Sequence, residues 1–236
     1  MDAFFRNDFR LFWISVILLF LELLIIRWLS AELRIFAYFH NLVLIICFLG
    51  IGLGCAHGEK TASLFTPMLI LGLLVFLIYC PVDLGIFSIT NITAYLGNLK
   101  DFVIWYQAVS PGGKRIWEIL LGVGMLGLLT VGVVYLFVPF GQLLGQLLGE
   151  SERPIRAYTI NILGSLVGIL LFTLLSFVSS PPLVWFALFF AFVIVLLFIE
   201  KQKRLAFPSA VLMGIILGLL IWRGGFGIRN GEKEEI

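Results

Sequence analysis

A chain of 236 residues that is 61% hydrophobic and only 13% charged, with a mean hydropathy of +1.10, has too little polar surface to cover a water-soluble domain. Its net charge of +2 comes from scattered basic residues, which excludes the concentrated positive footprint of a nucleic-acid binder. Cys47, Cys55 and Cys80 lie in or at the end of apolar runs and lack paired spacing, so they suit helix packing and carry no expected metal or redox chemistry.

A membrane-crossing helix needs about 20 mostly apolar residues. Runs near that length occur at 11–29, 37–56, 64–80, 116–138, 155–178, 183–199 and 206–222. They are apolar on every side instead of alternating, so they read as helices and not as barrel strands. The expected fold class is therefore all-α: a polytopic transmembrane helix bundle of about seven spans over residues 1–223, with a polar tail or linker at 224–236. The first run follows Arg6 and Arg10, lacks a small-residue cleavage site and contains Glu22, so it reads as a retained span.

Short connections at 58–63, 179–182 and 200–205 make sequence neighbours antiparallel. The segment from Pro81 to Arg115 is different. Asp83, Asn91, Asn98, Lys100 and Asp101 make it too polar to span, while Leu96, Leu99, Phe102, Val103 and Tyr106 recur at helical spacing beside Trp105. An interfacial helix and a loop folded over the bundle are both open for it. Asn91-Ile92-Thr93 matches a glycosylation acceptor, which matters only in a secretory pathway. The basic residues at the two ends of the spans are mixed. The contrast between the Lys201 to Arg204 turn and the uncharged Ser179 to Pro182 turn favours an amino terminus inside and a carboxyl terminus outside. The lipid bilayer is the first expected partner, and a bacterial-type inner membrane the expected location.

Glycines recur four apart: Gly50, Gly54 and Gly58; Gly141, Gly145 and Gly149; Gly164 and Gly168; Gly214 and Gly218. At this spacing two helix backbones can approach closely, and packing replaces the hydrophobic drive that lipid removes. Gly50, Gly54, Gly164 and Gly168 are the expected helix-packing positions. The stretch Gly141 to Gly149, a local duplication after Pro139, reads either as a continuation of the fourth helix or as a short interfacial one.

Glu22 falls near the middle of the first span, where a bare carboxylate is costly, so it is expected protonated, paired, or facing the bundle interior. Arg27 is five residues further on, within reach of Glu22 or of the headgroups. Asn161 lies inside the fifth run beside Tyr158, Thr159, Ser165, Gly164 and Gly168, and its amide must bond another helix, a water or a ligand. Glu22, Arg27 and Asn161 together form a candidate polar intramembrane cluster, for a cationic ligand, for a proton, or for helix adhesion alone. His40 and His57, some 17 positions apart with no third ligand, do not make a metal site. No Walker, HExxH, GxSxG or CxxCH motif occurs, so no catalytic residue, metal site or cofactor is assigned.

Three stretches also carry a resemblance. Leu21-Glu22-Leu23-Leu24-Ile25-Ile26-Arg27-Trp28-Leu29-Ser30 resembles the first helix of the membrane-embedded spermidine-synthase-like proteins, a Glu followed by an Arg and then a small polar residue. Phe48-Leu49-Gly50-Ile51-Gly52-Leu53-Gly54 resembles their second helix. Tyr158 to Gly168, followed by Pro181-Pro182, is similar to the family's aromatic, Asn or Asp, then Gly-small-x-x-Gly segment. The resemblance implies a polytopic membrane region that is usually followed by a soluble Rossmann-like domain. That domain resembles the polyamine aminopropyltransferases, which move an aminopropyl group from decarboxylated S-adenosylmethionine to putrescine.

The chain ends in Arg229-Asn230-Gly231-Glu232-Lys233-Glu234-Glu235-Ile236, without a Gly-rich nucleotide loop or the acidic residues that hold polyamine amines. The expectation is the membrane part of a longer polypeptide, or a stand-alone relative that anchors, regulates or feeds a soluble nucleotide-binding partner. The charge count opposes the resemblance on sidedness, because seven spans put Ile236 outside whereas such a domain would be cytoplasmic. Two other classes stay open on the sequence: a transporter component for a small cation such as a polyamine, and a structural subunit among other membrane subunits.

Overall fold

The computed structural model describes residues 2–33, 35–36, 39–58, 63–79, 115–200 and 203–231. The fold is all-α, with seven helices and no strand among the described residues. In chain order they are α1 (Asp2–Glu32), α2 (His40–Ala56), α3 (Phe65–Tyr79), α4 (Arg115–Gly149), α5 (Pro154–Phe177), α6 (Pro182–Ile199) and α7 (Lys203–Gly231). The expected interfacial helix or loop between Pro81 and Lys114 lies outside the described residues.

Four segments are long and apolar enough to cross a membrane: Asn7–Glu32, Gly122–Gly149, Pro154–Phe177 and Pro182–Ile199. Three shorter apolar helices accompany them, Asn41–Ala56, Phe65–Ile78 and Phe207–Trp222. The chain is thus a membrane protein by the length and composition of its helices. The Gly141 to Gly149 repeat continues α4, and Pro139 sits inside that helix. Its ring removes one backbone donor, leaving the Tyr135 carbonyl without its usual intrahelical partner. At the other end of the chain, α7 runs to Gly231, so the helix extends into the stretch expected to be a polar tail.

The central element is α1, which packs on α2, α4, α5 and α6. Its buried residues run the length of the helix, from Leu11 and Ile14 through Phe20 and Leu24 to Trp28 and Leu29. After α1 the chain turns a packed corner in which Leu33 and Phe36 stay buried and Ser30 Oγ donates to the Phe36 carbonyl at 3.2 Å.

Two pairs of helices come into backbone contact, and in both pairs the helices run parallel. Along α2 and α4, Gly50 meets Val134 and Phe137, Gly54 meets Val138 and Gly141, and Gly58 meets Gly145 and Gln146, so positions rise together. Along α1 and α5, Gly164 meets Phe12 and Ser15, and Gly168 meets Val16 and Phe20. By contrast α6 runs antiparallel to α1, with Trp13 near Phe192 and Trp28 near Phe186. Edge-to-face rings join α1, α5 and α6: Phe20 lies 5.5 Å from Phe172 and 5.3 Å from Phe192, and Phe172 lies 5.5 Å from Trp185. Each such pair contributes about 0.5–1.5 kcal/mol beyond area burial.

Candidate functional site

The structure does not bond Glu22, Arg27 and Asn161 to one another; Arg27 and Asn161 have partners in different places, and Glu22 Oε2 has none among the described residues. Glu22 is buried in the middle of α1 at 2% exposure, and its Oε2 has no hydrogen-bond partner among the described residues. The thiol of Cys47, buried on α2, lies within electrostatic reach of it. Glu22 stands between Leu21 and Leu24, both fully buried, so the apolar stripe that seats α1 in the bundle carries the carboxyl inward with it.

Arg27 does not reach back to Glu22. It is exposed near the carboxyl end of α1, where its Nη1 donates to Ser176 Oγ on α5 and its guanidinium lies 5.3 Å over the ring of Trp185 on α6. Around it the polar groups form a short relay. Trp185 Nε1 donates to Ser180 Oγ at 2.8 Å, and Ser180 Oγ donates to the Leu175 carbonyl at 2.7 Å. The turn that places Ser180 just after the last turn of α5 is set locally. Ser179 adopts a positive φ of 53°, the Ser180 amide donates to Leu175 O at 3.2 Å, and the Ser179 amide donates to Ser176 O at 3.1 Å. This is the two-bond left-handed C-cap of a helix, followed by Pro181 and Pro182, which start α6.

Asn161 faces α1. Ser15 Oγ lies 2.7 Å from Asn161 Oδ1 and 2.7 Å from the Leu11 carbonyl. A hydroxyl has one proton to donate, so it serves both partners only with the amide turned over, Nδ2 then donating to Ser15 Oγ. Either way an amide and a hydroxyl close the α1–α5 seam one turn before Gly164.

The glycines mark where backbones touch. A Cβ on Gly50 would lie 2.6 Å from Val134 O, and one on Gly54 would run into Val138 O. A Cβ on Gly164 or Gly168 would meet the carbonyl of Phe12 or of Val16, each at 2.5 Å. Gly214 and Gly218 have nothing within 4 Å.

Sequence reasoning missed the ties at the amino-terminal side of the bundle. Arg10 grips Glu200 with two bonds, Nε to Oε1 at 2.7 Å and Nη2 to Oε2 at 2.6 Å, and Arg156 pairs with Asp8 at 2.7 Å. Trp13 Nε1 donates to the Phe192 carbonyl at 3.0 Å. Arg10 and Glu200 are 190 positions apart, so no spacing rule could pair them; their common membrane side was the available signal. His57 Nδ1 stays 2.8 Å from Leu53 O within its own helix. No group of three or more metal-ligating side chains gathers among the described residues.

No family model, curated protein or solved structure matches this chain.

Proposed function

We propose that this chain is the membrane domain of a spermidine-synthase-like protein, seated in a bacterial-type inner membrane. In this reading it anchors or regulates an aminopropyltransferase-like soluble domain or partner. One observation supports it: the stretches that carry the resemblance on α1 and α5 each contribute to the α1–α5 seam, at different heights along it. On α5, Asn161 bonds Ser15 of α1, and Gly164 and Gly168 receive the backbone of α1 at Phe12 and Val16. On α1, Arg27 closes the far end of that seam on Ser176. A motif whose residues lock two helices into one rigid pair suits a platform on which a soluble domain is held, since a fixed attachment point needs fixed helices.

The test is affinity capture of the solubilised chain from the membranes that natively contain it, followed by an assay for aminopropyl transfer from decarboxylated S-adenosylmethionine to putrescine. Spermidine formation in the captured fraction is the expected result, whether the activity resides on the same polypeptide or on a bound one. A captured fraction with no transfer activity and no aminopropyltransferase-like polypeptide overturns the proposal.

A further inference from the structure

We infer that Glu22 is a proton-binding site inside the bundle, a carboxylic acid that folds with its proton and exchanges it from within the membrane. This goes beyond the platform reading and does not depend on it. On α1, Glu22 is 2% exposed, and Leu18, Leu21 and Ile25 beside it along the helix are each at most 1% exposed.

The described charged and titratable side chains on the helices packed against α1 are committed elsewhere or exposed. From α5, Arg156 pairs with Asp8, and Tyr158 is exposed; from α6, Glu200 is held by Arg10. From α4, Tyr135 and Glu150 are exposed. From α2, Cys55 donates to Gly141 O at 3.3 Å, His57 is exposed at the helix end, and the Cys47 thiol is within electrostatic reach of Glu22. That thiol is another acid and supplies no positive charge. On α1 itself, Arg27 is turned outward to Ser176 and Trp185. No described cation therefore balances an ionised Glu22, and an uncompensated carboxylate inside a lipid-embedded bundle is strongly disfavoured.

A proton removes that penalty outright. Two polar pairs inside the bundle act as adhesives: Asn161 binds Ser15, and Trp13 binds Phe192. Glu22 instead keeps an oxygen without a partner, which adhesion does not explain. In the exchange the O–H bond breaks, the electron pair stays on the carboxylate, and the proton passes to a water molecule that becomes hydronium.

Infrared spectroscopy of the full chain in lipid nanodiscs tests this. At neutral pH we expect a protonated-acid carbonyl band that is lost in Glu22→Gln, shifts when the sample is moved into D2O, and disappears reversibly as the pH is raised. A neutral-pH spectrum in which Glu22→Gln removes no such band means that Glu22 is ionised, and overturns the inference. So does a Glu22 band that neither shifts in D2O nor responds to pH, since it reports a sealed acid. Should the Gln variant fail to assemble, Glu22→Asp keeps an acid and must move the band, and an unmoved band overturns the inference equally.

Discussion

The seam between α2 and α4 and the seam between α1 and α5 both bring parallel helices into backbone contact, but they are built differently. Across α2 and α4 both helices contribute the missing side chains: Gly54 and Gly141 face each other, and Gly145 lies against the backbone of Cys55. Across α1 and α5 only α5 contributes glycines, and they lie against the carbonyls of Phe12 and Val16. Polar side chains do the rest there: Asp8 with Arg156, Ser15 with Asn161, Arg27 with Ser176. Mutual glycines give the closest approach and little information about register, because a shift by one turn repeats the pattern. One-sided glycines with polar ties fix register at three heights.

The comparison breaks most sharply at Gly141. A side chain there meets Ile51 O and the Cα of Gly54, both rigid backbone, so Gly141→Leu must force α2 and α4 apart. Overpacking a close-packed interior costs about 1–3 kcal/mol and occasionally more, and this position should lie at or beyond the top of that range. The measurement is thermal unfolding of the detergent-solubilised protein with size-exclusion analysis. The control is Gly214→Leu, which has open space around it and should leave the midpoint almost unmoved. Equal losses at both positions would mean that glycine as such, and not the α2–α4 contact, sets the effect.

A smaller effect is expected at the polar tie of the other seam. Asn161→Leu, Ser15→Ala and the double variant form a cycle whose coupling should be about 0.6 kcal/mol, with roughly 1.7 as a ceiling for such bonds in membranes. Zero coupling would reduce the contact at 2.7 Å to a bystander and leave the seam to the glycines of α5 and the ties of Asp8 and Arg27.

How much of this was legible beforehand differs by residue. The helices and the all-α class follow from apolar runs of spanning length, which carry their own signal locally. The glycine spacing likewise reveals that a backbone approaches, but not whose. Gly50 and Gly214 begin the same four-residue pattern, yet Gly50 is pressed on α4 while Gly214 faces nothing within 4 Å. The two glycine-lined pairings, α2 with α4 and α1 with α5, join elements that are not neighbours in the chain, and only the three-dimensional arrangement decides them. The polar cluster shows the same limit. Glu22 and Arg27 are one helical turn and a little more apart, so sequence alone allows them to meet, but that offset turns one side chain to the interior and the other to Ser176 and Trp185. Ion pairs such as Arg10 with Glu200 depend on where the ends of distant helices fall, which no local pattern encodes.

The smallest effect, and the one whose sign carries most information, is expected where α5 ends. The upper tie of the α1–α5 seam hangs on Ser176 in the last turn of α5, whose carbonyl accepts from the amide of Ser179 at 3.1 Å, and Ser179 holds a φ of 53°. A residue with a β-carbon pays about 1–2 kcal/mol for that conformation relative to its right-handed alternative, whereas glycine adopts it freely at the cost of a more flexible unfolded chain. Ser179→Gly should therefore raise the stability slightly, by up to about 1 kcal/mol. Ser179→Val, with a branched β-carbon in the same place, should lower it by about that much or more. Ser179 is exposed, so neither change disturbs packing and the backbone is what both variants read. Opposite signs from one position would tie the turn, and through Ser176 the grip of Arg27, to backbone conformation. Two variants that move the midpoint the same way would show instead that the turn follows from the helices it joins.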